Sequence, residues 1–409
     1  MHRTGLLFVF LSSIVLGSAV DWPQLLGPDR NGTYSGKDLN LDWPNNGPKR
    51  LWSNPVGKGW SSPVVSGEQV IIFHRDGGEE IIQCLKTTDG REIWKASYPA
   101  EYVDGYGFED GPRATPAIHG NKVYSHGANG DVRCNELSTG RLLWNLAAKK
   151  KFNAPNGFFG FGSSPIVTDG KVLLNIGGTP DASIIALNTA TGKLVWKAFS
   201  DEASYSSPSV ARIAGTKQAI FFTRMNVVSV SPSDGKILWK DRLAPNIHTS
   251  VAAAAPLIAG NRVFATASYG AGAVLFEAGK SSAKKIWSND DSLSSQYTTG
   301  VIKDGHIYGF HGRVDTGPRP QLRCIELDTG KVKWSNSRVD CGAIILARNK
   351  LIVLTQSGQL VTLDAKPESP GRIHPIQILG DKIRSHPALA NGLLFARDTR
   401  QLICIDLRK

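Results

Sequence analysis

One short stretch returns along the chain with its turn residues intact: "QCLKTTDGREIW" (83–94), "RCNELSTGRLLW" (133–144), "IALNTATGKLVW" (185–196) and "RCIELDTGKVKW" (323–334). Each copy reads as a β-hairpin: an apolar run, a Thr-Gly or Asp-Gly turn whose glycine accepts positive φ, and a short strand closing on Trp. The closing positions are Trp52, Trp94, Trp144, Trp196, Trp239, Trp287 and Trp334, with a worn eighth near Ile378. They stand 42 to 52 residues apart, the span of a four-stranded propeller blade. A unit that small cannot bury its own apolar face, so it must stack on its neighbours.

A second marker runs in phase with the first. "SSPVV" (61–65), "ATPAI" (114–118), "SSPIV" (163–167), "SSPSV" (206–210), "AAPLI" (254–258) and "SHPAL" (385–389) each open a unit. Small residues before Pro suit an innermost strand, where blades crowd about an axis. Together the markers predict an all-β, eight-bladed β-propeller of four-stranded antiparallel blades. Seven blades is the competing count, because the copies ending at Trp287 and near Ile378 are worn. The chain ends in "LICIDLRK", a third strand with no partner after it, and "PKRLWSN" (48–54) is a fourth strand with none before it. The N- and C-terminal strands are expected to share one blade, which closes the ring and leaves no open edge.

The first 19 residues read as a signal peptide: a short basic start, the apolar run "TGLLFVFLSSIVLG", and small residues before a cleavage point after Ala19. An uncleaved N-terminal anchor is the alternative. Residues 20–47 form an N-terminal arm and 48–409 the propeller. The mature chain is expected to be periplasmic or extracellular, monomeric and without a transmembrane segment. Its formal charge of +12 is spread along the sequence, with a single run at Lys149–Lys151, so nucleic acid is not an expected partner. Of the five cysteines, Cys84, Cys134, Cys324 and Cys404 hold one strand position in four repeats, filled by Ala186 and Ser229 elsewhere. Equivalent positions in different blades lie too far apart to bond, so these read as buried core thiols.

"LNTATGKLVW" with "SSPIV" resembles the repeat of pyrroloquinoline-quinone (PQQ) propellers over residues 48–409. That superfamily includes quinoprotein alcohol dehydrogenases and the propeller subunit of the outer-membrane barrel assembly machinery. "DWPQLLGPDRNGTYSG", "GPRATP" and "HGANGDVRCNELSTG" look like exported PQQ-repeat proteins of planctomycete-type bacteria. The resemblance implies the fold and says little about activity. Family dehydrogenases carry adjacent cysteines over the quinone, a Trp beneath it, and calcium held by Glu, Asn and Asp. This sequence has no Cys-Cys pair, and of its tryptophans outside the repeat positions only Trp60, next to "SSP", is placed to reach the axis.

Two consecutive crossovers between blades are long, and they share one face. "SYPAEYVDGYGFEDGPR" brings Tyr98, Tyr102, Tyr106, Phe108, Glu109, Asp110 and Arg113; "KKKFNAPNGFFGFG" brings Phe152, Asn153, Phe158, Phe159 and Phe161. Under the dehydrogenase resemblance Asp110, Asn153 and Asp104 are the candidate acid or calcium ligands, though their spacing does not demand it. Aromatics with a few polar groups on long loops suit stacking on a sugar, a quinone or a peptide. Arg113 and Glu109 are expected to pair with each other. No HExxH, HxH or G-x-S-x-G motif is present. The reading is a non-catalytic binding or scaffold module of the cell envelope. Its partner, an envelope protein or a small aromatic or carbohydrate ligand, is expected on the face of loops 95–113 and 145–162. No catalytic residue or metal ligand is assigned. The alternative is a periplasmic PQQ-dependent alcohol-type dehydrogenase, for which PQQ and calcium would be the cofactors.

Overall fold

The computed structural model describes residues 20–409 except 38, 45, 248 and 249, so the segment read as a signal peptide lies outside the described residues. Eight four-stranded antiparallel sheets stand in a ring, innermost strands side by side about the axis. Blade 1 is built from Val64–Ser66, Gln69–Asp76, Glu79–Lys86 and Glu92–Pro99. Blades 2 to 7 begin at Ala117–Ile118, Ile166–Thr168, Ser209–Ile213, Leu257–Ala259, Val301–Lys303 and Gly342–Ala347. Blade 8 takes three strands from the C-terminal end (Ala388–Ala390, Leu393–Arg397, Gln401–Asp406) and its outermost, Arg50–Pro55, from the beginning. Trp52 stands opposite Cys404 in that junction, so ring closure follows the predicted pairing. The worn eighth closing strand is His374–Gln377, just before Ile378, with His374 opposite Thr362 where most other blades oppose Trp to a small residue.

The repeated turn has one geometry. In blade 1 the Gly90 amide donates to the Lys86 carbonyl (2.9 Å) and the Lys86 amide to that of Arg91 (2.8 Å). Gly90 sits at φ +74°, and the ladder slips by one residue just beyond Cys84, the signature of a glycine bulge. That slip aims Trp94 at the next blade. Its indole N–H donates to the Leu137 carbonyl (2.7 Å), and a Cβ on Gly140 would lie 2.4 Å from its ring. Trp52 on Gly90, Trp144 on Gly192 and Trp196 on Gly235 repeat the contact. Their N–H groups bond to the carbonyls of Thr87, Thr189 and Pro232.

Blade 4 solves the same problem differently. The turn that follows in blade 5 is worn, and Trp239 donates instead to Gln218 Oε1 of its own blade (3.0 Å). The Gln218 amide then donates to the Gly279 carbonyl of blade 5 (2.8 Å). The Cys position of this blade is Ser229, whose hydroxyl also donates to Gln218 (2.7 Å). All five cysteines are free and buried, and burial raises the Cys84 thiol to about 12, so they act as small apolar fillers.

The opening marker does more than save space. The Ser62 amide donates to Thr115 Oγ1 (3.1 Å), Thr115 to Ser164 Oγ (2.8 Å), and Ser164 to Ser207 Oγ (2.9 Å). His386 donates to Ser62 Oγ (2.8 Å) and Ala255 to Thr299 Oγ1 (2.9 Å). Each hydroxyl satisfies an amide that the preceding blade turns toward the axis, so the marker forms a hydroxyl belt stitching five of the junctions.

The N-terminal arm crosses the lower mouth of the axial channel, the face of the Thr-Gly turns. Trp22 pairs with Val65, and Pro23 accepts from the Ile118 amide (2.7 Å). Arg30, 2% exposed, donates to the carbonyls of Ser164, Pro165 and Pro208 at the entrances of blades 3 and 4. The chain then returns, adding Thr33–Tyr34 as a parallel strand beside Gly342–Ala347. Among the described residues no helix is long and apolar enough to cross a membrane.

The belt generates a prediction. Ser164→Ala leaves the buried Thr115 amide without its acceptor, and the expected cost is about 1–3 kcal/mol of unfolding free energy, read by denaturant titration. Ser138→Ala, in an exposed turn, is the control and should fall within about 0.5 kcal/mol of the parent.

Candidate functional site: the axial funnel and its loops

On the upper face, where the crossovers run, the channel opens into a funnel of about 350 Å³ whose floor includes Leu25 of the arm. Its lining follows a simple rule. The residues two before each belt position, namely Trp60, Arg113, Gly162, Tyr205, Ala253, Tyr297 and Arg384, all face it. A strand alternates with period two, so the belt residue and the one two before it point the same way. Blades 6 and 7 lack the marker Pro; blade 6 keeps Thr299 at the belt position, while blade 7, among the described residues, adds none of its innermost strand to the wall.

Trp60 is held from the backbone. Gly59, at φ +125°, passes so close to the first long crossover that a Cβ would lie 2.8 Å from the Pro112 carbonyl. That carbonyl accepts from both the Trp60 and Ser61 amides (2.9 Å each). The indole is flanked by two guanidiniums, Arg384 at 4.5 Å and Arg113 at 5.1 Å from the ring centroid. Trp60 Nε1 and His386 Nδ1 are buried without a hydrogen-bond partner. Burial lowers the His386 imidazole to about 4, so it stands neutral at pH 7.

The two long crossovers meet above this funnel. Tyr106 lies 5.3 Å from Phe159 and 6.2 Å from Phe158, and Phe108 lies 6.0 Å from Phe159, ring centre to ring centre. Tyr205, from the next crossover, accepts the amides of Phe158 and Phe159 on its hydroxyl (3.0 and 2.9 Å) and stacks on the Phe159 ring. Tyr106 and Phe108 remain 52% and 58% exposed, with Val103 at 73%. Tyr102 is buried beneath, its ring under Arg113 and its phenol raised to about 12 by burial. Phe152 and Phe161 belong to the core between blades 2 and 3. Asn153 is exposed and bonds Thr179.

Asp104 organises the first loop. Its carboxylate accepts the amides of Tyr106, Phe108 and Glu109 and pairs with Arg113 (3.0 Å), the two side chains being 0% and 8% exposed. The expected pairing of Arg113 with the Glu109 carboxylate is thereby corrected: from Glu109 it is the backbone carbonyl that accepts from Arg113 (2.8 Å). Glu109 turns away and caps the Gly111 amide (3.2 Å). Asp110 accepts the Asp104 amide and pairs with Lys58 (2.9 Å), which together hold its carboxyl below the usual range.

These residues do not fit a calcium-held quinone. The nearest carboxylates are already committed, Asp104 to Arg113 and Asp315 to Arg313 through two bonds of 2.9 Å. No cluster of three metal-ligating side chains occurs among the described residues. Trp60 presents a flat face to the funnel, but no free acidic ligands accompany it.

The sequence reading missed Arg384, His386, Tyr297 and Tyr205, none of which lies on the two long loops. For Arg384, His386 and Tyr205 the signal was present, since each stands at or two before a marker position; Tyr297 precedes Thr299, where blade 6 carries no marker Pro.

Two predictions follow from the loops. Asp104→Ala removes one partner of a buried ion pair, an expected loss of about 3–5 kcal/mol, read as faster hydrogen exchange at the Tyr106, Phe108 and Glu109 amides. His126, buried against Phe161 at 5.2 Å, is lowered to about 4 by burial. Its folded value is depressed, so its contribution to stability is lost as pH falls from about 6.5 toward 4. The melting temperature should drop over that window, with a shallower slope in His126→Gln.

The family model described as outer membrane protein assembly factor BamB matches residues 78–336. A curated relative with that name from Bordetella pertussis is 23% identical over 317 residues, 75% of this chain and 72% of its own. Among solved structures, quinohemoprotein alcohol dehydrogenase from Comamonas testosteroni superposes with TM-score 0.70 at 13% identity, over 94% of this chain and 80% of that one. BamB from Moraxella catarrhalis gives 0.63 at 13% identity, over 88% and 99%. At such identities the solved structures share the fold alone. The repeat, the ring of eight blades and the family match agree: the chain belongs to the family of PQQ-like repeat propellers described as outer membrane protein assembly factor BamB.

Proposed function

We propose that this chain is an exported, non-catalytic binding module of the cell envelope that docks another envelope protein on its upper face. The observation that carries the reading is the apolar rim of Val103, Tyr106 and Phe108, large side chains left exposed on a loop that Asp104 holds rigid. A soluble protein keeps such groups exposed beside a cavity mainly where something covers them. The names of its relatives, assembly factors of the outer membrane, support the same reading. A quinoprotein dehydrogenase is the second reading, favoured by the indole of Trp60 on the axis and opposed by the commitment of Asp104 and Asp315 to arginines.

Photo-crosslinking tests it. A photoreactive residue at Phe108 in intact envelopes should give one discrete adduct with a protein, and the same residue at Thr329, in an exposed turn on the lower face, should not. Equal labelling from both positions, or none from Phe108, would count against docking. Alcohol-dependent dye reduction by the purified chain with PQQ and calcium would favour the dehydrogenase instead.

A further inference from the structure

We propose that the axial funnel is a carboxylate socket, taking an acidic side chain of a partner's peptide segment whose apolar neighbours lie on the rim. This rests on the docking reading and names the chemistry of its partner.

The funnel is a dead end. The arm closes it from below, with Leu25 in the floor and Arg30 tied to three carbonyls, so whatever occupies it arrives from the upper face. Its wall is cationic and its charge unspent. Arg113 is neutralised by Asp104, and Asp315 at the mouth by Arg313. Arg384 has no such partner: its guanidinium lies over the rings of Trp60, Tyr297 and Phe108, at 4.5, 5.4 and 5.9 Å, and among the described residues it makes no ion pair. A guanidinium offers five N–H donors in a planar fork that matches a carboxylate, and ring faces satisfy none of them. Two further polar atoms stand ready beside it, the orphaned Trp60 Nε1–H and His386 Nδ1. A carboxylate bonded to Arg384 would answer the guanidinium of the wall that has no ion-pair partner.

The rim decides what carries that carboxylate. Val103, Tyr106 and Phe108 are exposed on a loop over the cavity mouth, and a ligand confined to about 350 Å³ leaves most of that apolar surface wet. An extended chain reaches both. Lys150 and Lys151, exposed on the second long crossover of the same face, add positive charge where such a chain would run on. Charge complementarity with a protein of +12 therefore selects an acidic, aromatic or aliphatic segment over a basic one.

The test is selection of random heptapeptides displayed on phage against the immobilised full chain. Selected peptides are expected to place Asp or Glu next to a large apolar residue. A synthetic peptide of the most frequent sequence should bind about ten- to hundredfold more weakly to Arg384→Gln, the loss of one charge-assisted contact, and less tightly as salt rises. Arg384→Lys keeps the charge without the fork and should fall between, which guards against a Gln variant that folds poorly. Peptides without acidic residues that ignore Arg384→Gln would overturn the socket while leaving docking intact. Failure to select any peptide, with Arg384-dependent binding of naphthalene-2-carboxylate, would overturn it in favour of a small ligand. Crosslinking at Phe108 is independent of both, so loss of the docking reading shows separately.

Discussion

At five of the eight junctions, blade is joined to blade by an indole laid over a glycine. The turn glycine must reach positive φ to make its bulge, and it must also lack a Cβ, because the Trp of the preceding blade occupies that space. One residue type meets both demands, which is why Gly and Trp recur together while the residues between them drift. The indole N–H on a carbonyl of the same turn adds direction to a contact that is otherwise dispersion and buried area. Each blade is thus positioned by its neighbour, and the axis, with everything lining it, inherits its geometry from these outer contacts.

The inner belt is the second consequence of the same symmetry. Innermost strands converge too tightly for large side chains, yet their first amides need acceptors. A Ser or Thr hydroxyl from the next blade meets that need in the smallest volume available. Where the marker carries Ala, as at Ala255, the incoming bond from blade 4 is missing, and it is blades 4 and 5 that Gln218 bridges further out. Chemistry on the axis is then shaped by one variable position in each of seven blades, two residues before the belt.

Architecture was legible because it depends on residues that repeat. The blade count, the shared closing blade, the burial of the Cys position and the outer Trp contacts all follow from register and side-chain size. The site was less legible because it depends on what breaks the repeat. Long loops drew attention to Phe152 and Phe161, which the structure places in the core, since length marks a crossover without saying which of its aromatics turn inward. Arg113 paired with Asp104 and not Glu109 because three amides had already oriented the Asp104 carboxylate, a convergence that sequence spacing does not encode. Arg384 sits in a short, unremarkable crossover and gains its meaning only from the rings around it.

The arm that floors the funnel also ties the two ends of the molecule into one event. Val20 bonds Asn391, Tyr34 bonds Gly392, and Arg50–Pro55 pairs with Gln401–Asp406, contacts spanning nearly the whole chain. During synthesis the strand Arg50–Pro55 has no strand partner until Gln401–Asp406 emerges. Contacts of such separation are the slowest to form, so the closing blade, and with it the Arg384 side of the funnel, should be the final part of the molecule to exist. Quality control is then built into the order of events: a truncated chain stacks several blades without closing the ring, and a partner that reads Arg384 meets a finished wall only on a finished ring.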